Sequence, residues 1–484
     1  MSAEIRNLSP QHLWGYFYDL TQIPRPTGHM EQVTRFMVAF GNGLGLETQQ
    51  DEVGNVLIRK PATPGKEGSK VVTMQSHLDM VPQKNSSTKH DFVTDPIDAY
   101  VEGDWVTARE TTLGADNGLG AAMAMAVLAD NSLKHGPLEA LFTVDEEVGL
   151  DGAIGLKPGF LNGEILLNCD SEEEGKLFVG CAGGADMNIS FQFKDETYIP
   201  EGDVAVKLSL TGLKGGHSGT DIHLGRANAN KLIFRFMKEV VCDYGARLSS
   251  IEGGSLRNAI PREAFAVITI PGDNVESLWE LVADYQDLFR QEYAGIEGNI
   301  SFTAEMAELP TTLIPEEIQD DLINAIEGCQ NGVISMLNDF PGTVESSSNL
   351  SIVKTSNERI EIKILVRSSS ESRKAAVCSS MESIFALAGA KVEYGGAYGG
   401  WQPNIKSPIL NIMQNTYFDL FGKRPSVKIM HAGLECGIIQ GAYPTMDMIS
   451  VGPDLEHPHS PDERVKISSV QKLWQFVIAT LERV

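Results

Sequence analysis

Val71-Val72-Thr73-Met74-Gln75-Ser76-His77-Leu78-Asp79, residues 71–79, begins as an apolar, strand-like run and ends on a histidine and an aspartate. The same event recurs along the chain. Leu138–Val144 leads into Asp145-Glu146-Glu147, and Ile165-Leu166-Leu167 leads into Asn168-Cys169-Asp170. Met446–Val451 precedes Pro458-His459-Ser460-Pro461-Asp462-Glu463. A fifth polar island, Gly114-Ala115-Asp116-Asn117-Gly118, stands before an apolar helical stretch. Ligands of open α/β sheets sit outside the carboxyl ends of the strands. Acids and histidines placed there repeatedly predict one site assembled from distant segments.

Outward from these islands the chain alternates. Residues 9–50 are predicted helical, with Trp14, Phe17 and Leu20, then Val33, Phe36, Met37 and Phe40 at helical spacing. Pro24 and Pro26 separate the two helices. From about 52 to 185 strands and helices alternate, which predicts an α/β class with a largely parallel sheet. Composition shifts near Gly183-Gly184. Strands are expected at 203–210, 264–270, 360–366 and 391–394, with helices near 227–241, 275–293 and 371–388. These strand–helix–strand units predict an α+β sandwich inserted into the first domain as a lid or dimerisation domain. The expected segments are 1–186 (catalytic), 187–398 (inserted) and 399–484 (catalytic again). Gly395–Gly400 is the expected return hinge, followed by a helix near 408–421.

At 484 residues the chain is long enough for more than one core. It is 42% hydrophobic and 21% charged, the composition of a soluble globular protein. A net charge of -26 argues against nucleic-acid and anionic-membrane partners, because phosphates would be repelled. The six cysteines are scattered without the close spacing of a zinc finger or redox motif, so reduced thiols and a cytoplasmic setting are expected. No signal peptide is visible. The small apolar run Ala121–Ala129 is too short to span a bilayer and is expected as a buried helix.

The islands carry complementary chemistry. His77 and Asp79, two apart at a strand end, project to one face, so Asp79 can accept the second imidazole N–H while the other nitrogen binds metal. Asp116 in a glycine-rich turn can bridge two ions, or simply cap the helix that follows. Of the neighbours Glu146 and Glu147, one can bind metal while the other removes a proton from water. Asp170 can complete one shell and His459 can serve a second ion, with His457 as its competitor. Glu172-Glu173-Glu174 are expected as solvated surface. Imidazole and carboxylate without thiolate favour zinc, with manganese or cobalt as substitutes.

In this order the islands resemble the dinuclear zinc peptidases that include aminoacylase, glutamate carboxypeptidase and the cytosolic dipeptidases. The likeness covers almost the whole chain. Residues 76–84, 111–118, 258–263, 431–437 and 458–463 are similar in wording to the bacterial aminoacyl-histidine (Xaa-His, carnosinase-like) dipeptidases. The resemblance implies that His77, Asp116 and Asp170 hold one zinc, and Asp116, Glu147 and His459 the other. It implies Glu146 as the general base acting on a metal-bridging water, with Asp79 orienting His77. His217, in Gly215-Gly216-His217-Ser218-Gly219, matches a histidine that stabilises the tetrahedral intermediate. Asn258 and Arg367 match substrate contacts, and Gly433 and Glu435 match a substrate-facing loop. A cytoplasmic homodimer with two zinc ions per subunit, acting on unblocked dipeptides and preferring Xaa-His, is the implied protein. A tripeptidase, an N-acyl amino-acid deacylase or a non-catalytic metal-binding scaffold are the alternatives, and the presence of Glu146 argues against the last. One departure stands out: Ala108-Arg109 is followed by Glu110, where relatives often have a glycine ahead of the Asp116 loop. If that glycine serves a backbone angle closed to other residues, the loop must differ locally.

Overall fold

The strand Val72–His77 is buried at every position. A strand with both faces covered belongs in the middle of a sheet flanked by helices. The computed structural model, which describes residues 2–484, places it there. Two compact units divide the chain. The first comprises residues 1–181, 401–429 and 434–484, the second 182–400 and 430–433.

In the first unit an eight-stranded sheet runs in the order Glu47–Gln50, Val56–Lys60, Leu138–Thr143, Val72–His77, Ile165–Asn168, Asp447–Ser450, Lys176–Cys181 and Ser426–Met430. Its centre is parallel: Leu138–Thr143, Val72–His77, Ile165–Asn168 and Asp447–Ser450 all point one way. The flanking pairs that begin with Val56–Lys60 and Lys176–Cys181 are antiparallel. The parallel register sets His77 opposite Thr143 and Gln75 opposite Asn168. Three of the polar islands therefore leave the sheet along one edge. A separate four-stranded antiparallel sheet pairs Arg464–Lys466 with Trp105–Ala108, which draws the 457–463 loop toward the Asp116 loop.

Helix Ala115–Ala129 is almost wholly buried. Its alanines and glycines remove the bulk that would hold neighbouring elements apart. At the other end of the chain, helix Ile467–Arg483 meets helix Pro408–Phe421 through an edge-on Tyr417–Phe476 contact, with centroids 5.2 Å apart. The first helical region is shorter than its sequence suggests. Helices cover Gln11–Thr21 and Glu31–Gly43, and Glu47–Gln50 is a strand. Gly45 takes φ 70° and turns the chain out of the helix.

The second unit is built on a nine-stranded sheet whose described pairings are all antiparallel. In Arg359–Ser368 the isoleucines 360, 362 and 364 and Val366 face one way. They join Phe191, Leu208 and Ile268 in one core with helices Ala229–Tyr244, Val275–Glu292, Glu316–Gly328 and Glu371–Leu387. Asn228 starts the first of these helices: its side chain accepts the N–H of Asn230 at 3.0 Å and of Lys231 at 3.2 Å. The glycines of 395–400 do not form a free hinge. Gly395 to Tyr398 complete the edge strand Lys391–Tyr398, and a Cβ on Gly183 would lie 2.5 Å from the Gly400 nitrogen. Gly183 is small because two backbones meet there.

Among the described residues no helix is long and apolar enough to cross a membrane. All six cysteines are free, and only Cys242 is exposed.

Packing at two glycines makes a matched test. A Cβ on Gly452 would sit 1.3 Å from the Ser171 carbonyl oxygen, whereas Gly441, exposed on helix Glu435–Ala442, has nothing within 4 Å. Gly452→Ala should cost roughly 1–3 kcal/mol or more through overpacking. Gly441→Ala should gain up to about 1 kcal/mol from the lost freedom of glycine in a helix. Thermal melting of the two variants should move in opposite directions.

Candidate metal centre

At the carboxyl edge of the parallel strands two imidazoles and four carboxylates converge in three overlapping groups: His77–Asp116–Asp170, His77–Glu146–Glu147 and Asp116–Glu147–His459. Asp116 belongs to two of them. His77 Nε2 lies 3.1 Å from Asp116 Oδ1 and 3.4 Å from Asp170 Oδ1. His459 Nε2 lies 3.1 Å from Asp116 Oδ2 and 3.1 Å from Glu147 Oε2. Each imidazole thus has its own oxygen of Asp116 and its own further carboxylate.

The donor set suits divalent cations. Glu147 Oε1 is buried without a hydrogen-bond partner. Burial, aided by the charges of Asp116 and Glu147, pushes the Asp170 carboxyl up to about 6. Burial also raises Glu146 well above the usual carboxylate range, with Asp170, Glu435 and Glu147 adding to it and His77 opposing. Around His459 burial disfavours the charged ring, but hydrogen bonds to Asp116 and Glu147 prevail and hold it at about 11. Carboxylates this crowded need positive charge between them.

Asp79 does more than face His77. Its Oδ1 is 3.4 Å from His77 Nδ1, whose nearer neighbour is the Asp79 carbonyl at 3.2 Å. The carboxylate also accepts the backbone N–H of Glu146 at 3.0 Å and of Glu147 at 3.1 Å, and the Thr27 hydroxyl at 2.9 Å. It is buried, yet the bonds from His77 and from those N–H groups hold its pKa down to about 2. One side chain therefore steadies the histidine and both glutamates.

Several expectations change. His457 lies outside the cluster and lines a separate cavity of about 670 Å³ with Tyr100, Arg109 and Arg464. His459 is the one beside Asp116, its backbone at φ 59°. Glu435 is not on a substrate-facing loop. It opens helix Glu435–Ala442, is fully buried, and accepts from Gln75 and from Thr143, the latter at 2.8 Å. The two-residue offset from Gly433 carries it from the loop into the protein. Glu172 and Glu174 are not simply solvated either, whereas Glu173 is exposed as expected. Glu174 accepts from the Tyr417 hydroxyl, and burial pushes the Glu172 carboxyl up to about 8, with Asp116 and Asp170 adding to it. Glu110 adopts φ 58° itself, so the left-handed turn is kept without a glycine. Sequence reasoning also missed Arg25 and Glu463, two buried charges that bond to the backbone around Asp116. Their signals were an arginine fixed between two prolines and the acid that closes the His459 motif.

The second unit holds the other expected residues, and it brings them together. His217 pairs with Ala259 in a short two-stranded ladder, and the Ser218 N–H donates to the Asn258 carbonyl at 2.8 Å. His217 Nδ1 accepts the N–H groups of Gly219 and Thr220 at 3.2 and 3.0 Å. Backbone N–H can only donate, so Nδ1 is the bare nitrogen and Nε2 carries the proton. Arg367 is buried, with Nε 3.4 Å from Ser218 Oγ and Nη1 donating to the Tyr398 hydroxyl at 2.8 Å. Gly219 leaves room for this. A Cβ there would lie 3.1 Å from the His217 ring, 3.2 Å from Arg367 Nε and 2.1 Å from the His431 carbonyl. Gly433 abuts the Tyr398 ring in the same way. His431 was not singled out: it bonds Ser347 Oγ at 2.7 Å, and burial together with the nearby Arg367 charge lowers it to about 3.

Comparison with known proteins agrees with this architecture. The family model described as peptidase family M20/M25/M40 matches residues 73–483. The cytosol non-specific dipeptidase of Escherichia coli K12 is 46% identical over 482 residues, 100% of this chain and 99% of the relative. The crystal structure of aminoacylhistidine dipeptidase from Vibrio alginolyticus matches with a TM-score of 0.90 and 45% identity, over 99% of this chain and 98% of that one. An aminopeptidase from Bacillus cereus shares the fold at 17% identity and a TM-score of 0.57, over 98% of each chain. With a parallel sheet whose strand ends gather histidines and acids, and with a family match over most of its length, the chain belongs to peptidase family M20/M25/M40.

Proposed function

We propose that the chain is a metal-dependent dipeptidase that hydrolyses unblocked dipeptides, Xaa-His among them, and that it works in the cytoplasm as a homodimer with two zinc ions per subunit. The observation that carries this is the sharing of Asp116, with Oδ1 toward His77 and Oδ2 toward His459. His77, Asp116 and Asp170 would hold one ion, and Asp116, Glu147 and His459 the other. Manganese or cobalt suit the same oxygen and nitrogen donors. The two similar proteins, one a cytosol non-specific dipeptidase and one an aminoacylhistidine dipeptidase, support the substrate class and the compartment. Preference for C-terminal histidine is the finer part of the proposal. The second unit would serve as lid and dimerisation domain.

Divalent ions held there supply Lewis acidity, which lowers the pKa of water toward neutrality. Glu146 takes the proton from the attacking water and returns it to the leaving amine. Asp79 fixes the backbone that carries Glu146. His217 offers a protonated Nε2 to the oxygen on which negative charge develops. Arg367 pairs with the terminal carboxylate of the substrate, while Asn258 and Gly433 line the peptide.

Three tests follow from these roles. Glu146→Gln should keep its metal content while turnover falls by about 10²–10⁴-fold, the usual share of general-base catalysis. Metal analysis showing loss of ions in this variant would move the ligand role from Glu147 to Glu146. Arg367→Ala should raise KM strongly for free dipeptides and little for C-terminally amidated ones; equal effects on both would remove the clamp.

The third test is pH. Burial sets Glu435 at about 7 and Asp170 at about 6. Each then holds a proton in the folded state that the unfolded chain has already released, so stability falls as pH rises through that interval. His459, held at about 11, acts in the same sense above its unfolded value of about 6.5. Ions would replace the protons of Asp170 and His459, so their stabilising effect grows in the same direction. Calorimetry should show the stripped protein melting lower as pH rises from about 5 to 8, with a widening gap to the zinc-loaded protein. A gap that narrows would contradict the ligand assignment.

A further inference from the structure

The loop that carries Asp116 is gripped on both sides by buried charge. Glu463 is 1% exposed. Its Oε2 accepts the N–H of Leu113 at 2.7 Å and of Gly114 at 3.0 Å, and its Oε1 accepts those of Ala115 at 2.8 Å and Asp116 at 3.2 Å. Four successive N–H groups close on one carboxylate, an anion nest filled by a side chain of the protein itself. The Glu463 carbonyl is fixed in turn by the Thr107 hydroxyl at 2.8 Å.

On the other side stands Arg25, 2% exposed. Its Nη2 donates to the Gly114 carbonyl. Its Nη1 donates to the carbonyls of Leu78 at 2.9 Å and Asp79 at 3.1 Å. One guanidinium therefore ties the strand end of His77 to the loop of Asp116. Gly114 is held at its N–H by Glu463 and at its C=O by Arg25. The glycines of this loop answer to Arg25 as much as to the turn. A Cβ on Gly114 would lie 2.6 Å from Nη2, and one on Gly118 would lie 2.5 Å from the same atom. Gly114 also needs its glycine for φ 71°. Burial lowers Arg25 to about 10, which still leaves it charged at neutral pH.

We infer that Arg25 and Glu463 are positioning residues that fix the Asp116 carboxylate between His77 and His459, and so set how firmly the metal pair is held. This rests on Asp116 being the ligand shared by two ions. A shared carboxylate tolerates little displacement, because moving toward one ion moves it from the other. Side chains behind metal ligands commonly govern retention of the metal by about 10–100-fold. Neither Arg25 nor Glu463 belongs to the three groups of converging donor atoms, so their effect passes through the backbone.

The test measures zinc leaving the loaded enzyme into excess chelator, for wild type, E463Q, R25M, R25K and E139Q. Glu139 is the control: a buried carboxylate of the same unit that also accepts backbone N–H groups, those of Asn162 and Gly163 at 3.0 Å, but at the opposite end of the strands. E463Q turns an amide N–H₂ toward two of the four donors, and R25M drops all three carbonyl bonds. Both should release zinc about 10–100-fold faster than wild type, with R25K between. E139Q should melt earlier yet release zinc at the wild-type rate. If R25M does not fold, E463Q and R25K decide the matter. Release at the wild-type rate from E463Q and R25K, or equally fast release from E139Q, overturns the inference while leaving the metal site standing. A wild-type protein that retains no zinc overturns both.

Discussion

One carboxylate must serve two imidazoles that arrive from distant parts of the chain. His77 ends a central strand, His459 sits on a loop joined to a separate small sheet, and Asp116 stands between them at the start of a buried helix. Much of the first unit can be understood as meeting that demand. Parallel register brings the strand ends level, so that Asp170 and the two glutamates reach the same place. The pairing of Arg464–Lys466 with Trp105–Ala108 brings the later segment in. Small residues along Ala115–Ala129 let the helix behind Asp116 sink into the core.

The electrostatics follow from the same crowding. Buried carboxylates repel, and each here is answered in a different way. Asp79 is supplied with backbone N–H groups and stays ionised, while Glu146 is given none of those bonds and favours its proton. Hydrogen bonds hold the one acid low, while burial among other carboxylates raises the other. In the second unit backbone geometry performs a comparable selection on His217, where two N–H donors dictate which ring nitrogen is protonated.

What could be seen in the sequence was whatever is repeated or local. Strand-like runs ending in acids and histidines revealed the sheet and the cluster, because burial on both faces writes a continuous apolar run and a polar island interrupts it. Side chains acting through other side chains or through backbone left little trace. Arg25 reads as a loop arginine, and Glu435 reads as a loop acid next to Gly433, since burial of a charge depends on contacts far away in sequence. Left-handed turns at Glu110 and His459 were hidden for a related reason. Backbone angle is legible when glycine is present and silent when another residue accepts the strain. The glycines of 395–400 lie where the chain returns to the first unit, though Gly395 and Gly396 belong to an edge strand and not to a free loop.

The order in which the chain is threaded has a further meaning for its birth. The second unit is drawn from one nearly continuous stretch, residues 182–400, with only 430–433 added, whereas the first is interrupted by it. As the polypeptide emerges during synthesis, N-terminal parts tend to organise first. Here that tendency meets an obstacle, for the sheet of the first unit lacks the strand Asp447–Ser450, and Asp116 lacks both His459 and Glu463, until after the whole of the second unit has been made. The nascent chain therefore carries an unfinished, strongly acidic cluster while the whole of residues 182–400 is being made. Enzymatic competence can emerge only once that later segment has returned.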